Sequence, residues 1–448
     1  MGLVQRSWNS ARLAARVRRE RRLPFASRER IERLQRRRLR AIVGHAFQTV
    51  PFYREAMQSA GLRPADMRVV DDLARLPLLD GMTVRRDVER FTSSAVMERN
   101  RVALKSSGSG LTHVRTLVWW DAASQLAKLA IAERDRAVIV ERLGRGWGLR
   151  QLYVLPEASV SLELRAWWDA RILAPRNVAE RHTVPAERPF DEVADRIDEI
   201  SPDVVYSYGS FADRFFRHLA GAGRRVESPG VWVYGGDMLP PDGRELIERD
   251  FGVPVLSTYQ AVETGRLGFE CEVRRGFHLN VDLCAVRIVD AEGEMVGPGE
   301  AGEVVVSNLY NRATVLLNYR LGDRGALATG PCTCGRSLPR LERLEGRVSD
   351  VIRLADGREI SSMTLRNLLK DELAFALQCQ VVQPHPGRVV WRVVPLPGRG
   401  SEEARRALLE RTCALLGAVA ETTVELVDHI PATGGGKHLA VSLAEAVT

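Results

Sequence analysis

Six short segments, met in a fixed order along the chain, hold the residue types that phosphate and carboxylate chemistry needs. Ser106-Ser107-Gly108-Ser109-Gly110 follows an apolar run at 102–104. Hydroxyls and Gly-exposed backbone N–H groups in such a loop can wrap a polyphosphate, although a Ser/Gly string is more often a plain surface turn. In Tyr234-Gly235-Gly236-Asp237, two glycines after an expected strand would let a flat ligand approach the backbone. Thr258-Tyr259-Gln260-Ala261-Val262-Glu263-Thr264-Gly265 comes after a strand expected to end at Leu256. There Tyr259 could stack on a base, and Glu263 could hold Mg²⁺ through its carboxylate oxygens. Tyr319-Arg320-Leu321-Gly322-Asp323 offers a carboxylate, at an expected strand end, able to accept from two adjacent sugar hydroxyls. Gly346-Arg347-Val348-Ser349-Asp350 and Gly434-Gly435-Gly436-Lys437 complete the series. Lys437 is one of only four lysines, with Lys105, Lys128 and Lys370, against 61 arginines. Arginine cannot replace a lysine whose compact ammonium does the chemistry.

A second set is metal-like. Cys271 and His278 form C-x6-H, and Cys332 and Cys334 form C-x-C. Two soft thiolates, a third thiolate and an imidazole suit a closed tetrahedral Zn²⁺ site. The competing reading is four unrelated residues, with C-x-C merely flanking a turn, since that spacing is less specific than paired C-x2-C. Cys284, Cys379 and Cys413 sit in apolar stretches and are expected in the core.

The elements that must position these residues read as α/β layering. Between 100 and 345, short apolar runs (151–155, 204–208, 231–234, 253–256, 285–289, 303–307) alternate with amphipathic helical stretches (121–134, 190–199, 211–220, 243–250). The 279–327 stretch is β-rich. Residues 350–448 read as a small α+β unit with a hairpin at 351–360, helices at 362–374 and 402–416, and strands near 378–384, 388–395 and 422–426. The 448 residues allow two or three domains. No apolar run approaches a membrane span, and an Arg-rich N-terminus stands in place of a secretory h-region, so a cytoplasmic protein is expected. The net charge of +8 is concentrated: residues 1–40 hold fourteen Arg and three Glu, giving +11. Two short basic helices broken at Pro24 are expected there. A solvated surface explains them more simply than a nucleic-acid or membrane patch, because few aromatics are interleaved.

The ordered motifs resemble the core of the adenylate-forming superfamily of acyl-CoA synthetases and adenylation domains. Val50-Pro51-Phe52-Tyr53-Arg54 and Cys332-Thr333-Cys334-Gly335-Arg336 are similar to elements of its phenylacetate–CoA ligase and CapK-like branch. The resemblance implies an α/β fold: a large multi-layer domain over 1–348, with a β-rich subdomain and a basic helical arm at 1–60, and a small mobile α+β domain over 349–448 carrying a lysine loop. It implies that Ser107, Gly108, Ser109 and Gly110 bind the phosphates of ATP. Gly235, Gly236 and Asp237 would line the adenine and acyl pocket, Tyr259 would pack on adenine, and Glu263 would hold Mg²⁺. Asp323 would take the ribose hydroxyls with help from Arg347, Ser349 would be the hinge, and Lys437 would stabilise charge on the attacking carboxylate and α-phosphate. Cys271, His278, Cys332 and Cys334 are similar to a zinc knuckle with a structural role. The sequence departs from the family at Ser109-Gly110-Leu111-Thr112-His113, which lacks the usual Pro, at Asp237, where Glu is commoner, and at Ser349.

The activity so implied is ATP-dependent activation of a carboxylic acid to an acyl-adenylate, then transfer to coenzyme A. Tyr208-Gly209-Ser210 and Phe211 would line the acyl pocket and suit an aryl or arylacetic acid. One alternative is an adenylating enzyme with another acceptor: an amine, a carrier-protein thiol or a cofactor hydroxyl. A second is a non-enzymatic binding protein using the basic arm. Nucleic acid is not an expected partner, and the oligomeric state is left open.

Overall fold

The computed structural model describes residues 2–105, 116–173, 179–417, 420–432 and 441–443. Among these, an eleven-stranded sheet dominates. Its parallel half runs Ala179–Pro185, Leu149–Leu155, Val204–Ser207, Val231–Gly235, Val255–Ala261. Helices connect these strands, as right-handed crossovers between parallel neighbours require. The strands are correspondingly apolar on both faces: Val204, Val205, Val231 and Trp232 are all buried. From Val255–Ala261 the sheet continues antiparallel through Gly265–Glu270, Phe277–Leu279, Arg340–Arg347, Tyr319–Leu327, Ala301–Asn308 and Cys284–Val289.

From Val351 onward the chain builds a separate core. The hairpin Val351–Arg353/Glu359–Ser361 and a four-stranded sheet (Glu421–Leu426, Arg388–Pro395, Ala376–His385, Val441–Leu443) pack with helices Ser362–Leu368 and Glu402–Leu416. Trp391, Leu365 and Leu408 lie at its centre.

Several expectations shift. The strand expected to end at Leu256 runs on to Ala261, so Tyr259 lies within it. Asp323 likewise lies inside the Tyr319–Leu327 strand rather than at its end. Glycines and charged residues weakened both ends as sequence signals, while ladder pairing carried the strands through them. The basic helices are long, Leu3–Arg22 and Arg28–Thr49, joined by a 3-10 turn at Leu23–Phe25. The expected 121–134 helix divides into Ala122–Ile131 and Glu133–Leu143, and the 362–374 helix ends at Leu368. Cys284 is buried as expected, but Cys413 is exposed on the Glu402–Leu416 helix, so it is not a core cysteine.

The basic arm is tied to the sheet by charge. Fully buried Arg134 donates to Glu20 on the arm and to Asp282 and Asn280 on the sheet side at 2.5–2.9 Å. Arg38, from the second basic helix, joins Asp282 at 2.6 Å. Burial alone would hold both carboxyls neutral, but the neighbouring guanidiniums outweigh it and Glu20 and Asp282 ionise below their ordinary values. Their stabilisation is therefore complete above the ordinary carboxylate range and is lost as pH falls through the lowered values. Arg134→Met should cost about 3 kcal/mol by urea denaturation at pH 7, because two buried carboxylates lose their main partner. The gap from wild type should narrow at acid pH. Equal stabilities at neutral pH would show the arm to be held by apolar packing alone.

Candidate active site

The parallel and antiparallel halves of the sheet meet at Val255–Ala261, and the candidate residues gather beside that junction. Asp323 lies opposite Arg347 in register, and Arg347 Nε stands 3.1 Å from Asp323 Oδ1. Tyr259 donates its hydroxyl to the other oxygen, Oδ2, at 2.7 Å. Three strands separate Tyr259 from Asp323 in the sheet order, so the sheet must curl for this bond to form. The break in continuity is the short Phe277–Leu279 strand, which on its Arg340–Arg347 side pairs only Arg340 and Leu341 and leaves the Arg347 end of that neighbour free to bend over. The Tyr259 ring rests against Phe277, centroids 5.7 Å apart. Burial first, and then Asp323, raise the Tyr259 phenol well above its ordinary value, so it stays a donor. Asp323 in turn raises Arg347.

Glu263 sits in the tight turn after Tyr259, nearly buried, with Tyr319 Oη 3.5 Å from its Oε1. Three side chains pin the turn: Asn308 Nδ2 to Glu263 O (3.0 Å), Trp120 Nε1 to Val262 O (2.9 Å) and Tyr310 Oη to Thr264 O (3.4 Å). Gly265, at φ +74°, closes it; a Cβ there would lie 2.5 Å from Tyr310 Oη. Under this turn Lys128 is buried with its ammonium 3.2 Å from the Trp120 ring centroid, and burial lowers its pKa well below the ordinary lysine value.

Gly235 pairs in register with Thr258, one residue from Tyr259. A Cβ at 235 would fall 2.7 Å from Thr258 Oγ1, so glycine is needed for this approach. Gly236 has φ +87°. Asp237 accepts from the backbone N–H of Gly209 (2.6 Å) and Ser210 (3.2 Å) and from the Ser210 hydroxyl. Its carboxylate thus caps the Gly209–Gly221 helix.

The structure therefore brings Tyr259, Glu263, Asp323 and Arg347 together, with Gly235, Gly236 and Asp237 on the adjoining strand end. Ser107, Gly108, Ser109, Gly110 and Lys437 lie outside the described residues. Two neighbours were missed in the sequence. Tyr319 was quoted in its motif but given no role. Arg85, in the Gly81–Arg86 helix, is one arginine among 61 and carried no signal. The bridge Leu79↔Tyr319 lays that helix over the site. A Cβ on Gly81 would be 3.2 Å from Tyr319 Oη and 3.9 Å from both Arg85 Nη2 and Thr116 Oγ1.

The cysteine–histidine set also converges. One ligand atom from each of Cys271, His278, Cys332 and Cys334 lies within 4.8 Å of the others. Cys271 Sγ and Cys332 Sγ are 3.8 Å apart, and Cys334 Sγ is 3.2 Å from His278 Nε2. A tetrahedral site with metal–sulfur bonds of ~2.3 Å has a sulfur–sulfur edge of about 3.8 Å, whereas a disulfide would need ~2.05 Å. His278 Nδ1 is 3.3 Å from the Leu338 carbonyl, an arrangement that leaves Nε2 for a metal. Burial lowers His278 to about 4 and raises Cys271 to about 12. The imidazole is thus ready to ligate at neutral pH, and the Cys271 thiol would release its proton on binding a cation.

No family model matches the chain. It is 27% identical over 333 residues to phenylacetate-coenzyme A ligase of Thermus thermophilus, covering 72% of each chain. It is 19% identical over 408 residues to protein CapK of Staphylococcus aureus, covering 90% of this chain and 87% of that one. A crystal structure of 2-hydroxyisobutyryl-CoA ligase in the postadenylation state, in complex with R3-HIB-AMP, superposes with a TM-score of 0.76 at 18% identity over 95% of this chain and 92% of that one. The chain is thus similar in sequence to phenylacetate–CoA ligases and to CapK, and it shares the fold of a CoA ligase. At 18% identity the structural likeness is one of fold, and it spans both the large sheet and the separate C-terminal core.

Proposed function

We propose that this enzyme activates a carboxylic acid with ATP and transfers the acyl group to coenzyme A. The observation that carries the reading is the Asp323 carboxylate, held by Arg347 and Tyr259 with Glu263 alongside. Relatives that are CoA ligases support it. In the first half-reaction a carboxylate oxygen of the acid attacks the α-phosphorus of ATP, and pyrophosphate leaves with the bonding pair. Negative charge builds between two anions, so cations must stand where it develops. Arg347 holds Asp323 for the ribose hydroxyls, and Lys437 supplies an ammonium to the attacking carboxylate and α-phosphate. Ser107, Gly108, Ser109 and Gly110 wrap the phosphates. Glu263 would hold Mg²⁺, which supplies further charge neutralisation when bound. In the second half-reaction the thiol sulfur, losing its proton to solvent, attacks the acyl carbon, the acyl C–O bond breaks, and AMP departs with the bonding pair.

The proposed units are 1–348 and 349–448, hinged at Ser349, with the second unit carrying Lys437 in and out of the site. Gly235 and Gly236 would face the flat parts of the ligand, with Asp237 holding the helix behind them. An aryl or arylacetic acid is the proposed substrate class, with Tyr208, at the start of the Gly209–Gly221 helix, as its aromatic contact; Phe211, expected beside it, is instead buried in the core against Phe190 and Phe215. The proposed setting is cytoplasmic, where six unpaired cysteines are at home.

Incubation with ATP, coenzyme A and a panel of aryl, arylacetic, fatty and hydroxy acids tests the proposal by mass spectrometry. AMP and an acyl-CoA thioester should appear in equal amounts with one acid class. AMP without thioester would move the acceptor to a carrier-protein thiol, an amine or a hydroxyl. Lys437→Ala should slow single-turnover acyl-adenylate formation by about 100-fold or more while sparing thioester formation from supplied acyl-adenylate. Equal loss of both would remove Lys437 from the first half-reaction.

We further propose that Cys271, His278, Cys332 and Cys334 bind a structural zinc ion. Purified protein should carry about one zinc per chain, and its removal should lower the melting midpoint by roughly 5 °C or more. Metal-free protein with unchanged melting would return these residues to ordinary packing.

A further inference from the structure

The seam between the two cores is closed by charge. Arg366, on the Ser362–Leu368 helix of the C-terminal unit, donates through Nη2 to Asp213 Oδ2 at 2.7 Å and stands 3.6 Å from Asp242 through Nε. Arg217 bonds the other Asp213 oxygen at 2.8 Å and also pairs with Asp242. Asp213 and Arg217 lie one turn apart on the Gly209–Gly221 helix, and Asp242 comes from Pro241–Glu245. The two helices approach this closely because residue 243 is glycine; a Cβ there would sit 2.2 Å from Asp213 Oδ1.

The charge balance is the telling feature. Within the bonded cluster the large unit supplies the buried Asp213, the largely buried Asp242 and the Arg217 guanidinium, leaving one surplus negative charge that Arg366 neutralises. An uncompensated buried charge is costly, so the C-terminal unit has a defined seat. The seat is imperfect: Asp242 Oδ1 and Arg366 Nε lack hydrogen-bond partners and meet only at 3.6 Å. Separated ions regain water, which an apolar seam could not offer, so such a contact specifies position without being permanent.

The seat connects to the candidate site at two points. The helix bearing Asp213 begins at Gly209, where Asp237 caps it beside Gly235 and Gly236. On the other side, the Val441–Leu443 strand, which follows Lys437 in sequence, packs against the Val348–Asp350 turn, and that turn packs on the strand bearing Asp323. With Arg366 seated, the Val441–Leu443 strand therefore lies one turn away from the strand of Asp323.

We propose that Arg366 is a positioning residue: seated between Asp213 and Asp242, it docks the C-terminal unit in the arrangement for acyl-adenylate formation, and the dock must open for thiol transfer. This rests on the two-step reading above. The test compares full-length wild type, Arg366→Gln and Arg366→Lys in each half-reaction. Arg366→Gln should slow carboxylate-dependent pyrophosphate–ATP exchange about tenfold or more, while thioester formation from supplied acyl-adenylate and coenzyme A stays at or above wild type. Arg366→Lys, which keeps the charge, should recover most of the exchange. Hydrogen–deuterium exchange gives a readout that needs no activity. Amides of 209–221 and 362–368 should exchange faster in Arg366→Gln, and those around Trp391 should not. Unchanged exchange at the seam, or equal losses in both half-reactions, would overturn the dock. A wild type inactive in both half-reactions with the seam amides behaving as expected would instead overturn the two-step reading and leave the dock standing.

Discussion

A carboxylate drawn out of water must be met by donors, and the position of Asp323 sets that requirement at the centre of this molecule. Its two oxygens are taken by Arg347 from the neighbouring strand and by Tyr259 from across three intervening strands. Meeting both forces the antiparallel half of the sheet to curl back toward the parallel half. The curl brings the Glu263 turn, the Gly235 strand end and Tyr319 to one place. Tyr259 can serve only as a neutral donor there, because burial and Asp323 together keep its proton in place. The geometry and the protonation states support each other.

The metal-like cluster lies at the far end of the same strand that carries Arg347. Arg340 pairs with His278, and seven residues on Arg347 meets Asp323. A cation joining Cys271, His278, Cys332 and Cys334 would fix the start of that strand and so the angle at which its other end arrives. The basic arm reaches the same region: the Ser337 N–H donates to Pro24 O at 2.7 Å, and the Arg336 guanidinium lies 4.8 Å from the Phe25 ring centroid. Glu20 and Arg38 of the arm join Arg134 and Asp282 in a buried network. That network ties both basic helices to the core at Asp282.

Four of the five parallel strands were legible in the sequence because short apolar runs are local signals; the polar edge strand Ala179–Pro185 and the Val160–Asp169 helix before it were missed, since an edge strand needs no apolar run on both faces. The strand Arg388–Pro395 and the helix Glu402–Leu416 match the expected bounds. The candidate residues were legible as types in order, through resemblance more than through periodicity. What sequence could not show was convergence: nothing local announces that Tyr259 bonds Asp323 across three strands, or that Arg85 is laid over Tyr319 by the Leu79 bridge. Strand ends at Tyr259 and Asp323 were missed because pairing partners distant in sequence stabilise them. Cys413 was misplaced because an apolar neighbourhood in a helix does not say which face a residue occupies.

The central claim is that this constellation adenylates a carboxylate, and the most direct measurement is carboxylate-dependent exchange of labelled pyrophosphate into ATP. It needs neither the acceptor nor the second half-reaction. Exchange with one class of acid and none without acid is the expected result. Absence of exchange across aryl, arylacetic, fatty and hydroxy acids, with folded and zinc-loaded protein, would contradict it.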